Sequence, residues 1–104
     1  MFHGAEIDTF DRQLKLAITQ RHLIEFRYGS SIRIAEPHDY GLLQGAPRLL
    51  VYQLRGERPG PPGWRLLDLA KMEGLVMLPG TFKGSRGSMH RNHYRWDELF
   101  ARVD

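Results

Sequence analysis

Four cations, Lys83, Arg86, Arg91 and Arg95, follow one another in residues 83–96 without an acidic residue, interleaved with His90, His93, Tyr94 and Trp96. Such a stretch can grip single-stranded nucleic acid, the cations neutralising phosphates while aromatic rings stack on bases. The same residues also read as a solvated tail whose Trp96 belongs to the apolar face of a following helix, so both readings stand at this point. His90 and His93 lie at i, i+3, a spacing that can ligate a metal on a helix. No carboxylate lies close before Asp97, and the flanking arginines repel a divalent ion. No metal site is expected.

A second pair of cations arises from strand pairing. Ile24, Phe26 and Tyr28 alternate with Glu25 and Arg27, as do Ile32 and Ile34 with Arg33, around Gly29-Ser30-Ser31. A three-residue hairpin loop would set Tyr28 opposite Ile32, Phe26 opposite Ile34 and Arg27 opposite Arg33. Two facing arginines repel. Either a bound phosphate or carboxylate relieves them, or Glu25, diagonal to Arg33, makes an ordinary surface pair. His38-Asp39 is a pair found in some phosphohydrolases, but the further His and Asp ligands on helices are missing here. There is no nucleophile elbow, P-loop or dinucleotide glycine pattern. Tyr28, Tyr40 and Tyr52 read as core or rim residues, so neither an enzyme nor a cofactor is expected.

These residues need elements to hold them. The 104 residues make one domain, 1–104, large enough to bury about two thirds of its unfolded surface. Cysteine is absent, which excludes disulfides and thiolate zinc sites and fits a reducing cytosol. No apolar run approaches the ~20 residues of a membrane span, and the N-terminus lacks a signal-peptide pattern. A net charge of +3 and a pI near 9.6 favour anionic partners.

Residues 1–7 read as a lead-in. Asp8 or Thr9 can cap a helix over residues 9–21, with Phe10, Leu14, Ala17 and Ile18 on one face. Pro37 should end regular pairing or mark an edge, and residues 38–44 form a semi-polar strand or loop before a Gly45-Ala46-Pro47 turn. Residues 48–54 are apolar on both faces, as in a covered central strand. Pro-rich residues 56–63 make an exposed connection. The apolar stretch 63–82 follows. It alternates at Leu67 and Leu69 and then changes phase, which a bulge or bend near Gly74 would repair; a helix fits its residue types equally well. Trp96, Leu99, Phe100 and Val103 at i, i+3, i+4, i+7 predict a short C-terminal helix.

Arranged in this order, the motifs resemble the WYL domain family. Residues 14–18 and Phe26-Arg27-Tyr28 look like its apolar helix and Phe-x-Tyr strand, and Arg33 to Pro37 looks like its Arg-x-x-x-Pro. Leu67-Asp68-Leu69-Ala70-Lys71-Met72, followed by Phe82, is similar to its Phe-Arg-Leu-Asp-Arg-Ile and following Phe. Arg48-Leu49-Leu50 stands where the family carries Trp-Tyr-Leu, so Leu50 alone is shared. The resemblance implies a small Sm-like β-barrel of about five strands with the N-terminal helix over one mouth, and it makes residues 63–82 a bent strand. It also implies a bacterial ligand-sensing module for an anionic, nucleotide-like or oligonucleotide-like ligand, acting with a transcriptional regulator. Arg33 and Lys71 are its anion contacts; strand pairing adds Arg27, and Arg48 enters at the family's Trp position. The other expectation is an interaction module or homodimer built on the C-terminal helix and a sheet edge.

Overall fold

The computed structural model describes residues 4–56, 60, 62–87 and 94–104, with side chains from residue 10 onward. It is mainly β, one helix followed by six antiparallel strands. Helix α1 is Gly4–Gln20, β1 is His22–Tyr28 and β2 is Ser31–Leu43. Strand β3 is Ala46–Arg55, β4 is Gly63–Asp68, β5 is Met72–Thr81 and β6 is Glu98–Arg102. A single turn of 3-10 helix, Leu69–Lys71, joins β4 to β5. No helix among the described residues is long and apolar enough to cross a membrane.

Leu14, Ala17 and Ile18 on α1 are buried, as their spacing predicts, in one core with Ile24 and Phe26 of β1 and Leu49 and Val51 of β3. Each large side chain so buried contributes about 1.5–3 kcal/mol. The helix begins at Gly4 rather than Thr9, so Asp8 and Thr9 lie inside it and do not cap it. Arg21, at φ 59, ends it in the left-handed region. From the helix, Asp11 accepts a 2.8 Å hydrogen bond from the Tyr40 hydroxyl and so ties α1 to the middle of β2.

The strands run β4-β3-β2-β1-β5, and β6 adds to β2. β4 and β5 therefore lie at opposite ends of the path although three residues separate them in sequence. A link that short cannot span five flat strands. The sheet must curl, and the Asp68 amide accordingly reaches the Tyr28 hydroxyl of β1, 3.1 Å away. The edges are not joined by a ladder, so the sheet remains open.

Several expectations are corrected. The β1–β2 loop has two residues, not three: Tyr28 pairs with Ser31, Arg27 with Ile32 and Phe26 with Arg33. Arg27 and Arg33 are not opposed, and the repulsion inferred between them does not arise. The stretch 63–82 is extended, but as two strands broken at 69–71, not one bent strand. The bulge near Gly74 is present. Glu25 pairs with Val76 and Arg27 with Glu73, and Gly74 takes φ 61 to absorb the extra residue.

Pro37 does not end β2. The β1 ladder stops at Ala35 and the β6 ladder begins at Asp39. On that side of β2 Pro37 falls between the two ladders, while on the other side it stands opposite Val51 of β3. The segment after residue 97 is not a helix but strand β6. A helix that short is marginal in water, whereas the upper half of β2 offers an unpaired edge. Val103 is buried there, and Phe100 packs its ring on Tyr40, centroids 5.1 Å apart.

The β2–β6 approach depends on Gly41, because a Cβ there would collide with the Glu98 carbonyl oxygen. Gly41→Ala is expected to destabilise the protein by about 1–3 kcal/mol, read as a lowered urea midpoint. An unchanged midpoint would show that β6 does not hold this register in solution.

Candidate functional site

Strand β2 carries an unusual load of buried charge. Ala35 and Tyr40 both belong to the core, yet five positions apart they would lie on opposite faces of a regular strand. A bulge resolves this. Pro37 pairs with Val51 and Asp39 with Leu50, leaving His38 as the extra residue. The bulge leaves Glu36, His38 and Asp39 all buried, at 5%, 2% and 0% exposure.

Each charge is met by an arginine from far along the chain. Asp39 accepts two hydrogen bonds from Arg102 of β6, at 3.0 and 3.1 Å. Glu36 accepts Nε and Nη2 of Arg86 at 2.7 and 2.9 Å. His38 Nε2 lies 3.3 Å from Glu36 Oε1; because the carboxylate can only accept, the imidazole donates. The Arg86 guanidinium also lies over the Tyr52 ring, 3.8 Å from its centroid. Trp64 of β4 meets the Tyr52 ring at 5.4 Å and the His38 ring at 4.8 Å, both edge to face, and Phe82 meets His38 at 5.5 Å.

Burial alone would raise the Glu36 carboxyl, but the hydrogen bonds from Arg86 and His38 and the charge of Arg86 outweigh it and hold it below its usual 4.5. Burial drives His38 below its usual 6.5, and the Glu36 hydrogen bond and charge restore only part of the loss.

Residues 82–86 leave β5 and cross this face as the wall of a cleft of about 510 Å³. Leu23, Leu54 and Phe82 form its apolar lining, Lys83, Ser85 and Arg86 its polar side, and Glu36 also faces it. Two members of the basic stretch, Lys83 and Arg86, are thus brought together. Arg95 is exposed, and Arg91, with His90 and His93, lies outside the described residues. No group of His, Cys, Asp and Glu among the described residues could hold a metal.

The other predicted cations have different surroundings. Arg33 faces inward beside Tyr28, its guanidinium 5.0 Å from the ring centroid, and bonds Ser31 Oγ at 3.0 Å and Gln53 Oε1 at 3.3 Å. Arg27 is exposed on the outer face, opposite Glu73, and Lys71 is exposed beside the Tyr28–Met72 pair. Arg48 stands across from Gly41 and Asp68, on the face opposite that of the core residue Leu49. Arg27 lines a smaller cleft of about 180 Å³, but Glu25 and Glu73 share it and disfavour an anion.

Sequence reasoning missed Glu36, Tyr52, Trp64 and Phe82 as the surroundings of His38 and Arg86. The available signal was Glu36-Pro37-His38, two ionisable residues flanking a proline within a run that also carries Arg33 and Asp39. His38 and Asp39, adjacent in sequence, turn to different partners. Comparison with protein-family models, with curated proteins and with solved structures returns no match to this chain. The WYL resemblance therefore rests on the motifs quoted above.

Because the folded His38 pKa is depressed, its contribution to stability is complete above pH 6.5 and is lost as pH falls from there toward the folded value. Denaturation midpoints measured between pH 7.5 and pH 5 should fall for the wild type and fall less for His38→Gln. Equal slopes would mean that His38 takes up protons as readily folded as unfolded.

Proposed function

We propose that this chain is a non-enzymatic ligand-sensing module of the WYL-like kind, a rolled Sm-like barrel that takes a small organic anion into the cleft beside Arg86 and acts with a transcriptional regulator. One observation carries this reading: Lys83, Ser85 and Arg86 line, together with the apolar Leu23, Leu54 and Phe82, one cleft of about 510 Å³. Such a cleft suits a ligand with an apolar or aromatic body and one acidic head, nucleotides included. The charge balance agrees. Glu36 neutralises Arg86, and exposed Lys83 leaves the cleft cationic. The buried carboxylates are matched to arginines, and His38 to Glu36, rather than aimed at a substrate, which favours binding over catalysis.

Calorimetry with adenosine monophosphate, a short oligothymidylate and benzenesulfonate tests this. Lys83→Ala should weaken binding at least tenfold, about 1.4 kcal/mol, with the melting temperature unchanged because the side chain is exposed. Binding that survives Lys83→Ala but is lost in the Arg33→Ala/Arg48→Ala double variant would move the site to the Tyr28 end. Absence of binding by all three probes would end the reading.

A second reading, a homodimer through strand edges, is favoured by a different observation. Among the described residues β4 and β5 each pair along one side only, and Val76 on β5 is 47% exposed. Light scattering should then give twice the monomer mass, reduced by Val76→Lys; a monomer mass at high protein concentration removes the idea.

A further inference from the structure

The Arg86 guanidinium is fixed on two sides. Glu36 accepts from its Nε/Nη2 edge at 2.7 and 2.9 Å, and one face lies on the Tyr52 ring, 3.8 Å from the centroid. Glu36 is only 7% exposed at its side chain, so the group that clamps the edge is itself anchored in the protein. The Arg86 side chain is nonetheless 41% exposed. With one edge and one face covered, that exposure falls to the opposite face, the Nη1 end and the stem.

A planar cation held in this way is a rigid shelf. Guanidinium groups stack on aromatic faces, and this one needs no further ordering before it receives a second ring. Leu54, two residues along β3 from Tyr52, lines the cleft with Arg86, as do Leu23 and Phe82, so the shelf belongs to the cleft. Lys83, three residues before Arg86, adds an exposed cation to the same lining.

We propose that the cleft selects acids whose body is an aromatic ring, stacked on the outward face of the Arg86 guanidinium with Tyr52 beneath it, the acidic head lying toward Lys83. The inference rests on the reading of the cleft given above and narrows its ligand class to aromatic acids. Glu36 keeps its hold on Arg86 throughout, because the ring uses the face and not the edge. Charge does not make the selection, since an aliphatic acid meets the same Lys83. Burial does not make it either: a saturated ring is the more apolar of the two, and plain transfer from water favours it. The guanidinium face is what tells them apart.

Phenylacetate and cyclohexylacetate are the probes, equal in charge, similar in size and both ionised at neutral pH. Calorimetry of the wild-type protein should give a Kd for phenylacetate at least about fivefold below that for cyclohexylacetate. Arg86→Lys keeps a cation for Glu36 but has no planar face, and there the ratio should fall to one or reverse. Should the variant not fold, the wild-type ratio decides alone. Cyclohexylacetate bound as tightly as phenylacetate, or more tightly, would overturn the stacking and leave the cleft as an anion site. A preference for phenylacetate that persists in folded Arg86→Lys protein overturns it too, and assigns the preference to Phe82. Failure of both acids, with benzenesulfonate or adenosine monophosphate still bound, has the same consequence. Failure of every probe removes the cleft itself.

Discussion

Two carboxylates taken out of water on one strand govern this structure. Glu36 and Asp39 sit in β2, which touches β1, β3 and β6. An unpaired buried charge is strongly destabilising, and each carboxylate is therefore closed by a bidentate arginine from the last fifth of the chain. Ion pairs of this kind add less net stability than an apolar pair of the same volume would, but breaking one by removing a partner costs about 3–5 kcal/mol. Their effect is one of specification. They tell the chain after β5 where to lie, and the cleft exists because residues 82–86 are pinned across that face.

The bulge at His38 is the geometric counterpart of those charges. It lets Ala35 and Tyr40 both face the core while the residues between them meet a second, more polar layer. Pro37 beside it removes a backbone donor at the place where β2 changes partner from β1 to β6. Curl, bulge and partner exchange are thus one local arrangement within β2.

Much of the fold was legible in the residues. The apolar face of α1, the alternation of β1, the doubly covered β3 and the bulge at Gly74 all follow from spacing and residue type. What was not legible depended on distant partners. Trp96, Leu99, Phe100 and Val103 carry a helical period, and only the open edge of β2 beyond Pro37 turns that segment into a strand. The Arg27–Arg33 pair failed on a one-residue difference in loop length, which changes every cross-strand neighbour. Arg86 could be singled out as a cation, but Glu36 lies 50 residues away from it in sequence, and no local pattern joins them. Lys83 and Arg86 were named as contacts; the apolar residues that line the same cleft were not.

The three-residue joint between β4 and β5 also bears on how the chain assembles. Strands at opposite ends of the sheet are tethered at one point, and contacts such as 28 with 68, 36 with 86 and 39 with 102 are all long-range. Chains whose native contacts are this distant along the sequence fold slowly, because loop-closure entropy is spent before the contacts form. During synthesis, β2 leaves the ribosome well before Arg86 and Arg102. Until they emerge, its two acidic side chains remain hydrated, and that hydration opposes premature collapse of a strand otherwise rich in apolar residues.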